Sequence, residues 1–349
     1  MNEPRRVAEE RPGWLSVAGP YPETVIYSGV EVSRSLSEVR FWARAGIGRG
    51  RQKRAVSRAI STVFGPGARL CELTRLASGV VWEKYPYLRG VLILFSAGEG
   101  LHVGVGPREA IRFYSYSGGA ISEPVFQRGL SAADSVGRAV EFAYDRELGF
   151  LNPNLEEVGS GLCFKALLHL PGITHTDELN ALRDYLEKAG VKSEGLLRGW
   201  PRPHGCLVAI TYRPGPGLRP AEAHDSFREV ILFVVEQEKE ARSALLSSAE
   251  AIVEDRAARS FATLRVARVL GYDELSDMLS WIRLGVAVGA LEPLPIKEMN
   301  ALLFLSGSNH MRAMAGRELT HLEEDIMRAS FARAVAGSWV EQGPPGFVS

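Results

Sequence analysis

From about residue 223 to residue 338 the sequence carries little but helical periodicity, whereas before residue 212 it runs in short β-rich pieces broken by Gly and Pro. This change of pattern constrains the fold most: a mixed α+β domain comes first and a helical domain follows, with no clean linker between them. "TVIYSGVEVSRSL" (24–36) alternates as a strand does, and "GVLILF" (90–95), "LHVGVG" (101–106) and "IRFYSYSGG" (111–119) read as a meander. "GCLVAITY" (205–212) is a further strand. Helices are expected over 131–148, where Ser and Asp stand near the start, over 174–190, and from near 223 in "AHDSFREVILFVVEQEKEARSALLSSA". In that last helix Glu238 and Arg242 have i,i+4 spacing, which supports an exposed face. The expected domains are a flexible arm (1–13), an α+β domain (14–250), a helical domain (251–338) and a tail (339–349).

Charge narrows the function classes. Lys+Arg and Asp+Glu are 41 each, so no global field draws the chain to nucleic acid or an anionic membrane. The basic run 46–60, with Arg49, Arg51, Lys53, Arg54 and Arg58, reads either as a solvated loop and helix face or as a patch for an anionic partner. The longest apolar run, "VILFVV" (230–235), is too short to span a bilayer, and the charged N-terminus has no apolar signal region. Three scattered cysteines, Cys71, Cys163 and Cys206, point to a reducing cytoplasm. His169 and His175 lack metal-ligand spacing, so no metal site is expected.

One stretch poses a problem. In "NPNLEEVGSGL" (152–162) a Gly-x-Gly turn leads into the apolar "LCFKALLHL", read here as a helix start. Free N–H groups at such a turn suit a phosphate. Yet Glu156 and Glu157 stand just before it, Cys163 follows, and the first cation is Lys165.

Taken in order, "WLSVAGPYPETVIYSGVEVSRSL", "YDRELGFLNPNLEEVGSGL…LLHLP", "VEQEKEARSALL", "EDRAARSFATLRVARVL", "IRLGVAVGAL" and "GRELTHLEEDIMRA" resemble the bacterial protein-arginine kinases, members of the ATP:guanidino phosphotransferase (phosphagen kinase) family. The resemblance runs over roughly residues 14–335. It implies an antiparallel sheet flanked by helices, followed by a helical C-terminal domain. It also implies transfer of the γ-phosphoryl of MgATP to a guanidinium, with arginines on the phosphates and a glutamate base on the substrate.

Position by position, the charges of that site are changed. Where the family has Ser-Arg-x-Arg, this chain has Ser28-Gly29-Val30-Glu31, so both phosphate cations are replaced; nearby Arg34 is expected to make a structural salt bridge. The catalytic stretch aligns either with 96–102 or, keeping Ile111-Arg112 and the spacing, with 106–112. The second placement puts Arg108 at the base position and leaves Arg112 on the phosphates. Glu109 is adjacent to Arg108 and faces the other way in an extended segment. Asn154 replaces the family's cysteine, Glu156-Glu157 its Thr-Asn, and Cys163 its arginine. In "RGWPRPHGCLVAITY" (198–212) Arg198 matches, Arg202 is a possible extra cation, and the substrate-binding acid is missing. The vestigial nucleotide-binding set is therefore Ser28, Arg112, Lys165, Arg198 and Arg202. In the C-terminal domain Glu324-Asp325-Ile326-Met327-Arg328-Ala329 half matches a phosphoarginine pocket, through Asp325 and Arg328, and half reads as an ordinary helical i,i+3 pair.

The resemblance implies a cytoplasmic, kinase-like regulatory or scaffold protein of proteostasis. Its expected partners are a second copy, an active kinase homologue or adaptor, and phosphoarginine proteins. The alternative is a divergent active kinase with MgATP, using Arg112, Arg198, Arg202 and Lys165 on the phosphates and Glu109 or Glu156/Glu157 as base. A third reading is a purely structural dimer module.

Overall fold

A computed structural model of the chain describes residues 3–37, 49–66, 68, 70–89, 91, 93–96, 100–105, 110–195, 203–215 and 217–341. Among the described residues ten strands are formed: β1 (Val25–Arg34), β2 (Cys71–Glu72), β3 (Ile93–Ser96), β4 (Leu101–Val105), β5 (Ile111–Gly118), β6 (Tyr144–Asp145), β7 (Gly149–Phe150), β8 (Leu162–His169), β9 (Val191–Gly195) and β10 (Leu207–Tyr212). Eight of them make one antiparallel sheet in the order β2-β3-β4-β5-β1-β8-β10-β9, and β6 and β7 form a separate hairpin.

Every residue of β1 is buried, because the sheet is covered on both faces. On one face Val30, Val32, Phe113, Phe164 and Ile210 share a core with the helices Glu123–Gly137 and Pro220–Val266. The first of these helices presents Val125, Phe126, Gly129, Ala132, Ala133 and Val136, a stripe at helical spacing. On the other face Tyr27, Tyr114, Tyr116 and Leu167 share a core with Trp14, Leu88, Ile282, Leu302, Phe304 and Ala332, so the C-terminal helices pack directly on the sheet.

Several expected elements come out differently. "LCFKALLHL" is strand β8, not a helix; a short apolar run fits a strand buried on both faces as well as a helix. The helix expected over 131–148 instead runs over Glu123–Gly137, and the end of the expected range is a turn: Asp145 accepts from the N–H groups of Glu147 and Leu148 between β6 and β7, with Gly149 at φ 79°. The expected 174–190 helix is two pieces, Pro171–His175 and Leu179–Lys188. The Glu238–Arg242 pair is buried rather than exposed: Glu238 accepts from Gly172 N and Ile173 N at 2.9 and 3.0 Å, and Arg242 lies 2.7 Å away. Within the arm expected to be flexible (1–13), Glu3–Glu9 forms a helix packed on the body, and a single helical turn, Gly13–Ser16, follows it. The long helix bends at Ala249 (φ −149°, ψ 34°) and continues to Val266.

Candidate active site

Strand parity and register gather most of the residues singled out above. A bulge between Val25 and Tyr27 sets the alternation of β1. Tyr27, Gly29, Glu31 and Ser33 then face one way, and Ser28, Val30 and Val32 the other. Cross-strand partners share a face, and Glu31 stands between Tyr114 on β5 and Cys163 on β8; Gly29 stands between Tyr116 and Lys165, and Ser33 opposite Arg112. Gly29, Glu31, Arg112, Cys163 and Lys165 therefore form one surface. Ser28 does not join it, contrary to expectation: wholly buried on the opposite face, it donates to the Gly119 carbonyl at 2.6 Å. Arg108, Glu109, Arg198 and Arg202 lie outside the described residues.

Among the described residues, each cation on this surface has a carboxylate of its own. Lys165 Nζ lies 2.5 Å from Glu31 Oε1, and Tyr116 donates its hydroxyl to the same oxygen at 3.4 Å. Burial works against the Lys165 charge, but Glu31 outweighs it and holds the ammonium above its ordinary pKa. Burial, with Glu31 alongside, pushes the Cys163 thiol up to about 12, so it is no nucleophile at neutral pH. Arg112 Nη2 lies 2.7 Å from Glu157 Oε1, which also accepts from Asn154 Nδ2 at 3.1 Å. Arg112 Nε and Glu157 Oε2 are buried without a hydrogen-bond partner among the described residues, so one arm of a bidentate fork is closed and the other open. Burial again opposes the Arg112 charge, and the acidic groups Tyr114, Glu31 and Glu157 more than offset it. Glu156 points outward to Lys192 at 3.0 Å and Arg213 at 3.6 Å. Of the two acids of "NPNLEEVGSGL", Glu157 thus neutralises Arg112, while Glu156 is engaged at the surface.

The Gly turn is held by the protein itself. Arg34, expected in a salt bridge, donates instead to the carbonyls of Ser33 and Ser160 at 2.8 and 2.9 Å and lies 3.6 Å over the Phe150 ring. Burial lowers its pKa to about 10. A side chain at Gly161 (φ 64°) would meet Ser33 O at 2.4 Å. Because β8 follows the turn, there is no helix N-terminus to attract an anion.

Aromatic side chains take the remaining space. Tyr116 stacks on Tyr87 with ring centroids 3.8 Å apart and planes 5° apart, and Tyr27 lies edge-on to both. A Cβ at Gly29 would sit 2.1 Å from Ser115 O and 2.6 Å from the Tyr116 ring. An arginine has no room there unless Tyr116 leaves. The sequence reading missed this role, although the alternation Arg112, Tyr114, Tyr116 places both tyrosines on the face of Arg112. Among the described residues this surface does not suit the triphosphate that the resemblance implies: Lys165 and Arg112 are neutralised, Glu31 adds an anion, and Tyr116 covers Gly29. A cavity of about 680 Å³, lined by His175, Cys206, Asp277 and Trp281 among others, opens at the other end of β8, away from these charges.

The half-matched pocket of the C-terminal domain is also filled. Arg328, 1% exposed, donates to the carbonyls of Ser306 and Leu270, both at 2.8 Å, and pairs with Asp325. Its guanidinium is spent on tying three segments together. Glu324, where the family has an arginine, lies buried 2.6 Å from Arg312.

Known proteins agree with this architecture. Residues 70–241 match the family profile described as "ATP:guanido phosphotransferase, C-terminal catalytic domain", and residues 250–342 match "Protein-arginine kinase McsB C-terminal domain". The chain is 26% identical to the protein-arginine kinase of Symbiobacterium thermophilum over 342 residues, 94% of this chain and 96% of the relative. It is 24% identical to that of Listeria welshimeri over 93% of this chain and 96% of the relative. In fold it resembles a lombricine kinase (TM-score 0.53, 12% identity, 67% of this chain and 72% of that one). It also resembles the duplicated taurocyamine kinase of Schistosoma mansoni (TM-score 0.52, 16% identity), matching 66% of this chain but only 36% of that one. With both profiles matched in order and the antiparallel sheet and helical C-terminal region in place, the chain belongs to the protein-arginine kinases of the ATP:guanido phosphotransferase family.

Proposed function

We propose that this protein is a kinase-like regulatory or scaffold member of its family, one that does not transfer phosphoryl groups. The family implies ATP-dependent phosphoryl transfer, and the reading turns on one observation: Glu31 neutralises Lys165 and Glu157 neutralises Arg112 on the face where a triphosphate needs free cations. A carboxylate about 4 Å from a phosphate oxygen opposes binding by roughly 4 kcal/mol at an effective dielectric near 20. Thermal unfolding with and without millimolar MgATP tests this. A ligand at 100 times its Kd stabilises by about 2.7 kcal/mol; the expected shift is nil, and no phosphoarginine should form on an arginine-rich protein by mass spectrometry. Time-dependent phosphoarginine that disappears in Arg112→Ala would instead establish an active arginine kinase.

Such a protein acts through contacts, and we propose that its helical region pairs with a second copy or an active kinase homologue. Part of the apolar surface of "EDRAARSFATLRVARVL" and "IRLGVAVGAL" is consumed internally, at Ala257, Leu264, Leu270, Ile282 and Leu284. Val266, Val269, Leu322 and Ile326 remain exposed, and the Leu270 N–H donating to Asp325 O brings their two segments side by side. Light scattering should report a dimer at micromolar concentration or a complex with such a homologue; a monomer that ignores the homologue removes the pairing. Among the described residues no helix is long and apolar enough to cross a membrane.

A further inference from the structure

The segment read as a loose arm touches both layers of the protein. In helix Glu3–Glu9, Ala8 is buried against Val80 of helix Arg75–Lys84 and Ala313 of helix Ser308–Ala315. The buried Lys84 ammonium donates to the carbonyls of Val7 and Glu10, capping the end of that helix. Arg11 pairs with Glu298 at 2.9 Å, in the first turn of helix Ile296–Phe304. Trp14, 2% exposed, donates its indole N–H to Lys84 O at 3.2 Å and sets its ring edge-on to Phe304 (5.0 Å) and Tyr27 (5.2 Å). Tyr27 in turn contacts the Tyr87–Tyr116 stack that covers Gly29 and reaches Glu31.

We infer that residues 3–16 are an interdomain strap that, through Trp14, holds the tyrosine stack closed over the Gly29–Glu31–Cys163 face. Docking the strap closes this face, and releasing it opens the face. The contacts suit a reversible latch. Helix Glu3–Glu9 has only seven residues, too short to persist alone in water. Its hold on the body depends on the Lys84 cap, the Arg11–Glu298 pair and a small apolar cluster. Trp14 lies between the latch and the stack, so a change at Lys84 or Glu298 is passed on as packing rather than as charge.

Thiol labelling of the full-length protein, resolved by peptide mass spectrometry, tests the latch. Cys163 lies on the covered face and Cys206 is buried elsewhere, while Cys71 is exposed and serves as the internal reference. In Lys84→Met, which keeps the apolar stem and deletes the cap, Cys163 should label at least tenfold faster relative to Cys71, with Cys206 still slow. A chain lacking residues 1–12 should behave in the same way, and hydrogen exchange at 85–88 and 113–118 should quicken in both. The charge swap Arg11→Glu with Glu298→Arg should label as slowly as the native protein. Fraying of helix Glu3–Glu9 with Cys163 unchanged, or Cys163 and Cys206 rising together, would overturn the proposal. Neither readout depends on whether MgATP binds.

Discussion

At the scale of single residues, the candidate site is decided by who neutralises whom. Glu31 is 4% exposed and its Lys165 partner sits over it at 2.5 Å, so neither can be removed alone without leaving a charge in a poor solvent. Lys165→Met is expected to cost roughly 2 to 4 kcal/mol, the loss moderated because the lysine side chain keeps some access to water. Glu31→Leu with Lys165→Met should return to within about 1 kcal/mol of the native protein, since apolar replacement of a buried pair is often neutral. Urea unfolding of the two single variants and the double variant measures both the pair and its coupling. Additive losses would mean that the pair carries no interaction and that Glu31 is held by Tyr116 instead.

At the scale of elements, Arg328 clasps the last helix, His321–Glu341, to the Leu270 and Ser306 turns. Substitution by Ala leaves those carbonyls and the nearby Glu83 carboxylate without it. Burial already raises the pKa of Glu83, and N–H groups of Asn309 and His310, with the Arg328 charge, pull it back. Arg328→Ala should therefore destabilise by about 3 to 5 kcal/mol, or several degrees in Tm. A pocket residue would behave differently, with an unchanged Tm and a lost affinity for phosphoarginine. Calorimetry and thermal unfolding on the same variant separate the two.

At the scale of the whole molecule, three buried imidazoles tie stability to pH. Burial, with Arg128 adding to it, lowers His102 to about 3; burial and Lys84 lower His310 to about 4; and burial, then Arg283 and Arg242, keeps His169 well below its ordinary value. All three are neutral in the folded protein at pH 6, whereas in the unfolded chain they take up a proton near pH 6.5. Between that value and the folded one the unfolded state holds more protons, so stability rises with pH across the window and is complete above pH 6.5. Acidification from pH 6.5 to 4 should erode stability with a limiting slope of about 1.4 kcal/mol per pH unit for each histidine. His102→Phe should flatten that slope, and both ring nitrogens of His102 lack a partner among the described residues, so no hydrogen bond is lost with them. An identical slope in His102→Phe would show that its titration is not felt.

The sequence by itself determined the order of strands followed by helices and the family. It also determined that Gly29, Glu31 and Cys163 carry no cation, because these are matters of local pattern and residue type. Alternation within the strands that were read as strands was legible too: 29 with 31, and 112 with 114 and 116. Which strands meet, and in which register, was not, because pairing joins segments far apart in the chain. Glu31 and Lys165 are separated by 134 residues, and only the β1–β8 register makes the glutamate the partner of that lysine rather than an unpaired anion. Tertiary packing likewise turned "LCFKALLHL" into a central strand and Arg328 into a clasp, and it docked residues 3–16 on the body. In each case a short stretch fits two structures about equally well, and the side it can bury against neighbours brought from elsewhere selects one.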